Sequence, residues 1–265
     1  MKELDYIKIN KQTWNNKVPV HLESEFYNQK AFLEGKNSLP DIDLELLGNI
    51  NGKSVLHLQC HFGQDSISMA RMGAKVTGID LSDKAIEEAQ KINSALNLDA
   101  KFICCNVYDT LEYIKEKFDI VYTSYGVIGW LPDLDKWANV ISKSLKPGGK
   151  LIFVEFHPVV WMFDDNFNEI KYHYHNEKTI IETYTGTYAN KEAEIQTDYV
   201  GWNHSLSEVF SSLLKHDLVI QHFKEYDYSP YNCLNELVEF EKGKFRIKHL
   251  ENKIPMLYSL TASKK

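Results

Sequence analysis

The stretch of residues 54–80 constrains the fold of this chain more than any other segment. It begins with a short apolar run, continues with apolar residues at helical spacing over 63–72, and returns to a second apolar run over 75–79. This change of hydrophobic period predicts a strand, a helix and a second strand in that order. Two strands joined by a helix are parallel neighbours in one sheet. The chain is therefore predicted to be an α/β protein.

Asp80 ends the second apolar run, where a carboxylate can accept hydrogen bonds from both hydroxyl groups of a ribose. The turn before the helix leaves backbone N–H groups unpaired, and such a helix start attracts anionic or polar ligand groups. This turn, residues 59–63 with the sequence QCHFG, contains one glycine. A dinucleotide site needs a G-x-G-x-x-G turn, because the pyrophosphate approaches bare backbone. A nucleoside ligand without a pyrophosphate is therefore favoured.

The segment HLQCHFGQD resembles the first motif of the class I S-adenosylmethionine-dependent methyltransferases, an acid followed by x-G-x-G-x-G. Cys60 and Gly63 match that motif, whereas His57 replaces the acid and Gln59 and His61 replace two glycines. The resemblance implies S-adenosylmethionine as the cofactor and S-adenosylhomocysteine as its product. It also implies these cofactor-binding residues: His57, Gln59, Cys60, His61, Gly63, Asp80, Leu81, Asn106, Val107 and Ser124.

A second segment strengthens the resemblance. Residues 145–155, LKPGGKLIFVE, are similar to the turn before the fifth strand of class I methyltransferases, where proline and a glycine pair make a tight reversal. The implied fold is a Rossmann-like α/β sheet of seven strands in the order 3-2-1-4-5-7-6, mixed because strand 7 is antiparallel, with helices on both faces. Residues 51–265 are expected to form this domain, with the last two strands at 218–226 and 254–262.

The first 50 residues precede the sheet and are expected to contain helices near 10–34 and 41–47. Trp14, His21, Phe26 and Tyr27 place aromatic groups on the first of these segments. In proteins that resemble this one, such a segment folds over the cofactor, so residues 1–50 are interpreted as a helical lid. Packing of these aromatic groups against the edge of the sheet is the alternative.

The chain departs from the core pattern between residues 157 and 204. Two runs rich in Thr, Tyr, Ile and Val, 179–188 and 193–202, predict an antiparallel β-hairpin that is inserted after the fifth strand and covers the site. His157 lies just beyond the fifth strand and is the candidate catalytic residue, as a general base or as a group that orients the acceptor. A polar residue that simply ends the strand is the alternative interpretation.

Composition excludes several classes of partner. A formal charge of −7 and a pI near 5.8 argue against nucleic-acid binding, which needs a basic stripe. The four cysteines show no C-x-x-C spacing, so neither a zinc site nor a disulfide framework is expected. No apolar run is long enough to span a bilayer, and the first ten residues lack a signal-peptide core. A cytoplasmic protein that acts on a small molecule, without a metal or membrane partner, is expected.

The combined expectation is an enzyme that transfers a methyl group from S-adenosylmethionine to a small-molecule acceptor by in-line displacement. Tyr125 and Trp130 follow the fourth strand and can provide an aromatic wall beside the sulfonium. Two alternatives stay open. An NAD(P)-dependent Rossmann-fold oxidoreductase would share the strand-helix-strand unit and Asp80, and a non-catalytic module would bind S-adenosylmethionine without turnover.

Overall fold

The computed structural model describes residues 3–265. In chain order, its helices are α1 (Glu3–Glu23), α2 (Gln29–Leu33), α3 (Asp41–Leu47), α4 (Gln64–Arg71), α5 (Asp83–Ala95), α6 (Thr110–Tyr113), α7 (Leu134–Ser144) and α8 (Leu206–Lys215). Its strands are β1 (Ser54–Leu58), β2 (Lys75–Asp80), β3 (Lys101–Cys104), β4 (Phe118–Ser124), β5 (Leu145–Phe156), β6 (Ile180–Thr185), β7 (Gln196–Gly201), β8 (Leu218–Tyr226), β9 (Leu237–Glu241), β10 (Lys244–Ile247) and β11 (Leu257–Lys264).

The main sheet has seven strands in the order β3-β2-β1-β4-β5-β11-β8. Strands β1 to β5 pair in parallel, whereas β11 is antiparallel to both of its neighbours, β5 and β8. Counted along the chain within this sheet, β8 is the sixth strand and β11 the seventh. The predicted order 3-2-1-4-5-7-6 with an antiparallel seventh strand is therefore confirmed.

Both faces of this sheet are covered by helices, as predicted, because successive side chains of a strand point to opposite faces. Leu56 of β1 belongs to the hydrophobic cluster that contains Trp137 of α7, and both of these side chains are fully buried. The preceding residue, Val55, belongs to a different cluster, with Leu47 of α3 and Met69 of α4. The alternating pattern of β1 thus fixes one helical layer on each side.

The N-terminal segment is divided into three helices. The single helix predicted near residues 10–34 is wrong in its extent, because α1 already includes Glu3, ends at Glu23, and is followed by a break before α2. Asn28 ends this break with a left-handed backbone, and its side chain accepts a hydrogen bond from the N–H of Ala31. The helix predicted at 41–47 coincides with α3. Residues 1 and 2 of the predicted lid lie outside the described residues.

Two small antiparallel pairs lie outside the main sheet. Strands β6 and β7 pair from Ile180 opposite Gly201 to Thr185 opposite Gln196, within the region predicted to form a hairpin. Strands β9 and β10 form a second pair inside the connection between β8 and β11, where no strand was predicted. Within residues 3–265, no helix combines the length and the apolar character needed to cross a membrane.

Candidate cofactor and acceptor site

The turn between β1 and α4 keeps the backbone conformation of a glycine-rich turn although it contains larger residues. The φ angles of Gln59, His61 and Gly63 are 56°, 51° and 79°, all in the left-handed region that glycine adopts most easily. A Cβ atom on Gly63 would lie 2.7 Å from Cε1 of Phe102, so a larger residue there would displace this ring. Gln59 and His61 thus adopt the left-handed backbone that glycine would adopt more easily at these positions.

Side chains of the turn connect it to its neighbours. Gln59 donates from Nε2 to the carbonyl oxygen of Val127, 2.9 Å away, in the connection after β4. The ring of His61 meets that of His21 in α1, with 2.9 Å between Nε2 of His61 and Nδ1 of His21. Side chains in place of glycines thus link the turn to both walls of the cavity described below.

His57, in β1, and Cys60, in this turn, are both buried. Nδ1 of His57 is 2.8 Å from Oγ of Ser66 in α4. Burial lowers the pKa of His57 to about 3 and raises the pKa of the Cys60 thiol well above its usual range. Both side chains are therefore neutral near pH 7, and the neutral His57 stands where the resembled motif has an acid.

Asp80 is held in position by the backbone at the tip of β2. Its Oδ2 accepts a hydrogen bond from the N–H of His61 and its Oδ1 one from the N–H of Ser82, each 2.8 Å long. Burial raises the pKa of the Asp80 carboxyl to about 6, while these N–H groups act in the opposite direction. The carboxyl is thus mostly ionised at pH 7, and its remaining lone pairs can accept further hydrogen bonds.

Asn106 and Val107 follow β3, at the same edge of the sheet. The side-chain oxygen of Asn106 accepts a hydrogen bond from the N–H of Tyr108 at 3.1 Å, which caps a short 3₁₀ helix. Val107 is buried. Leu81 follows β2 directly, and Ser124 is the last residue of β4. The carboxyl ends of four neighbouring strands therefore bring these predicted residues together.

A cavity of about 980 Å³ opens above these strand ends. Its lining includes every residue predicted to bind the cofactor: His57, Gln59, Cys60, His61, Gly63, Asp80, Leu81, Asn106, Val107 and Ser124. The volume lies within the range of pockets that enclose drug-sized ligands. An adenosyl group fits this arrangement, because the ionised Asp80 borders an open cavity instead of protein side chains.

Aromatic side chains from separate parts of the chain enclose the rest of the cavity. They come from α1 (Trp14), the break after α1 (Tyr27), the segment between β6 and β7 (Tyr188), β7 (Tyr199) and the connection after β8 (Tyr231). The hydroxyl groups of Tyr27 and Tyr188 lie 2.5 Å apart, joining the N-terminal segment to the insertion. The sequence shows only that these segments are rich in aromatic residues. That they meet around one cavity is visible only in the folded structure.

His157, the predicted catalytic residue, is placed outside this lining. Its Nε2 lies 3.0 Å from Oε1 of Glu225 in β8, and its Nδ1 accepts a hydrogen bond from the N–H of Val159 at 3.2 Å. Burial lowers the pKa of His157, and Glu225 opposes that shift. One ring nitrogen therefore faces the edge strand β8 and the other the backbone just after β5, which gives no geometric support to a catalytic role.

Glu155 is a buried residue that sequence reasoning missed. Its carboxylate accepts hydrogen bonds from the N–H of Val127 at 2.8 Å, of Ile128 at 3.2 Å and of Phe156 at 2.7 Å, and from that of Gly126. It therefore fixes the connection after β4, which forms one wall of the cavity. The signal in the sequence was a single acid within the apolar run of β5.

The described part of the chain, residues 3–265, has no group of three or more His, Cys, Asp or Glu side chains placed to hold a metal ion.

Comparison with known proteins agrees with this geometry. Residues 55–149 match the family model described as a methyltransferase domain. The chain is 30% identical over 131 residues to an uncharacterized methyltransferase of Synechocystis sp., a match that covers 49% of this chain and 59% of the relative. It is 31% identical over 119 residues to the ubiquinone biosynthesis O-methyltransferase of Pseudomonas fluorescens, covering 43% of this chain and 50% of the relative. The chain thus spans about half the length of these curated relatives.

A solved S-adenosylmethionine-dependent methyltransferase structure from Mesorhizobium loti has a TM-score of 0.58 to this chain, with 17% identity, covering 88% of this chain and all of that one. At this identity the likeness concerns the fold alone. Together, the matched family model and the shared fold confirm the predicted resemblance to class I S-adenosylmethionine-dependent methyltransferases, with residues 55–149 as the matched core.

Proposed function

We propose that this chain transfers a methyl group from S-adenosylmethionine to a small-molecule acceptor. The observation that carries the proposal is the cavity at the carboxyl ends of β1 to β4, which is lined by the residues predicted to bind the cofactor. The name of the Pseudomonas fluorescens relative specifies an O-methyltransferase, which supports oxygen as the acceptor atom. When bound, S-adenosylmethionine supplies an activated methyl carbon on its sulfonium, so the protein mainly aligns the reactants and excludes water.

In this proposal, each part of the cofactor has its own residues. The carboxylate of Asp80 accepts hydrogen bonds from the ribose hydroxyl groups. Asn106 and the backbone N–H of Val107 face the adenine, with the amide oxygen of Asn106 as the acceptor for its amino group. The turn with Gln59 and His61 faces the amino-acid end of the cofactor, and Ser124 lies near the sulfur.

The same turn argues against a dinucleotide. The side chains of Gln59 and His61 occupy positions where the dinucleotide motif has glycines, so a pyrophosphate would meet side chains instead of backbone. The proposal therefore predicts that the protein binds S-adenosylmethionine and its product but does not bind NAD or NADP.

Thermal unfolding in the presence of ligands tests the proposal. S-adenosylhomocysteine at 100 times its Kd is expected to stabilise the protein by about 2.7 kcal/mol. For a chain of this size, that corresponds to a rise in Tm of roughly 5 °C or more. NAD and NADP at the same concentrations are expected to leave Tm unchanged. A rise with NAD or NADP and none with S-adenosylhomocysteine would favour the oxidoreductase instead.

We also propose that α1 acts as the lid of this site. It spans the cavity between α5 and the inserted hairpin. On the side of α5, Lys11 forms an ion pair of 2.9 Å with Asp83, and Asn15 donates to the same carboxylate at 3.1 Å. On the side of the hairpin, buried Asn10 donates to the carbonyl oxygen of Val200 at 2.8 Å and accepts from its N–H at 3.1 Å. Helix α1 is thus fastened on both sides of the ligand position.

Replacement of Asn10 by Ala tests the lid. It removes both hydrogen bonds to Val200, which together contribute about 1–2 kcal/mol, so the bound ligand is expected to escape several times faster. Stopped-flow measurement of S-adenosylhomocysteine dissociation provides the rate. Gln12→Ala, at an exposed position of the same helix, is the matched control. Equal dissociation rates for the two variants would show that α1 does not retain the ligand.

A further inference from the structure

Lys17 of α1 places an unpaired ammonium group in the wall of the cavity. Its Nζ lies 4.9 Å from the ring centroid of Trp14 and 5.2 Å from that of Trp130, and the side chain lines the cavity. Among residues 3–265, the structure gives this ammonium group no hydrogen bond and no carboxylate partner. Two indole faces attract a cation, but they do not neutralise it. An enclosed cation of this kind is suited to pair with an anionic group of a ligand.

The groups around Lys17 do not provide a counter-charge. His21 on its own helix and His61 on the turn after β1 face it, and burial lowers the pKa values of both imidazoles, so both are neutral. The ring of Trp130 packs against that of Tyr199 in β7, with 4.8 Å between the ring centroids, and burial raises the pKa of Tyr199, so this phenol is neutral as well. Burial also lowers the pKa of Lys17 to about 8. A fraction of Lys17 is therefore a neutral amine at pH 7, able to accept a proton.

Lys17 lies between the turn after β1, which carries His61, and the connection after β4, which carries Trp130. Trp130 belongs to the connection after β4, the strand end toward which the methyl group points in the proposed binding mode. Trp130 also packs against Tyr199 of the inserted hairpin, and both side chains belong to the aromatic part of the cavity lining. Lys17 therefore lies beside Trp130, between the aromatic side chains of the hairpin and the expected position of the methyl group.

We propose that Lys17 is a catalytic residue that takes the proton from an acidic hydroxyl group of the acceptor, a phenol or an enol, and then pairs with the oxyanion. The inference rests on the proposed methyl transfer. The O–H bond breaks, the proton bonds to the lone pair of Nζ, and the electron pair of that bond stays on oxygen as the nucleophile. The ammonium group later releases the proton to water. Flat aromatic acceptors also fit a cavity wall made of Trp and Tyr side chains.

The test follows the ionisation of 4-nitrophenol, whose anion absorbs visible light, in the protein saturated with S-adenosylhomocysteine. In the unmodified protein the bound phenol is expected to ionise roughly tenfold more readily than in water, because a nearby cation favours the anion. Lys17→Met is expected to abolish this gain, and Lys17→Arg, which keeps the cation, to retain it. Lys8→Met, at an exposed position of the same helix, is expected to behave as the unmodified protein.

Three results would overturn the assignment. The first is equal ionisation of 4-nitrophenol in Lys17→Met and in the unmodified protein. Failure of 4-nitrophenol to bind the unmodified protein counts as the same result. The second is a loss of the gain in Lys17→Arg equal to that in Lys17→Met, which would point to packing instead of charge.

The third concerns the cofactor itself. If Lys17→Met weakened S-adenosylhomocysteine binding tenfold but left 5′-methylthioadenosine binding unchanged, Lys17 would bind the carboxylate of the cofactor, which 5′-methylthioadenosine lacks. Failure of the unmodified protein to bind S-adenosylhomocysteine would instead contradict the proposed function, and the two failures are thus distinguishable.

Discussion

Replacement of Asp80 by Ala is expected to weaken the binding of S-adenosylhomocysteine roughly 100-fold, or about 2–3 kcal/mol. The carboxylate borders the cavity at the tip of β2, and in the proposed binding mode it accepts hydrogen bonds from both ribose hydroxyl groups. Loss of charge-assisted hydrogen bonds in an enclosed site has an effect of this size. Isothermal titration calorimetry measures the affinity directly.

Asp80 also holds the N–H groups of His61 and Ser82, so part of the effect could come from a disturbed turn. Asp80→Asn separates the two contributions, since its amide oxygen still accepts one backbone N–H but lacks the charge. Urea unfolding of both variants without ligand reports the disturbance of the turn. Equal affinity of the Ala variant and the unmodified protein would remove the ribose assignment.

The Glu155→Ala variant is expected to be destabilised by about 3–5 kcal/mol. The buried carboxylate accepts hydrogen bonds from several backbone N–H groups of the connection after β4 and from that of Phe156. Each buried donor left unpaired costs about 1–3 kcal/mol, although movement of the connection toward solvent relieves part of this. The free energy of unfolding, from urea titration followed by circular dichroism, is the quantity to measure.

Glu155→Gln is the matched control, because it keeps the size of the side chain and one oxygen acceptor. It is expected to lose less stability than the Ala variant. The Ala variant is also expected to bind ligand poorly, since Gly126 and Val127 form a wall of the cavity. A change in unfolding free energy below 1 kcal/mol for Glu155→Ala would contradict the role assigned to this carboxylate.

The order of the main sheet was predictable from the sequence because local signals determined it. Each strand from β1 to β5 is a short apolar run followed by a helical pattern or a turn signal. The segment with Pro147 and the glycine pair identified the fifth strand. Resemblance then supplied the order and the antiparallel last strand. The lining residues predicted at the strand ends follow from the same rule, since ligands bind beyond the carboxyl ends of parallel strands.

The direction of side chains beyond β5 was not predictable. Phe156 faces the cavity, whereas His157, the next residue, faces Glu225 in β8. Side chains alternate along an extended chain, so a shift of one residue decides which group reaches the site. Sequence alone does not fix that register at a strand end.

Long-range contacts account for the other differences. The break between α1 and α2 depends on side-chain hydrogen bonds of Ser24 and Asn28 to the backbone. The helical pattern of residues 10–34 gives no sign of this break. Lys17 contacts Trp130, more than a hundred residues further along the chain. Glu155 binds the connection after β4, a neighbouring strand. A charged residue in a helix or a strand is usually solvated, so neither gave a distinctive signal.

Strand β11 separates β5 from β8, its partners on either side. During synthesis, β8 therefore emerges from the ribosome well before the strand that joins it to the sheet. The backbone donors and acceptors of β8 that pair with β11 stay unpaired until residues 257–264 have been made. Because β11 is inserted between β5 and β8, this edge of the sheet is completed only after residues 257–264 have been made.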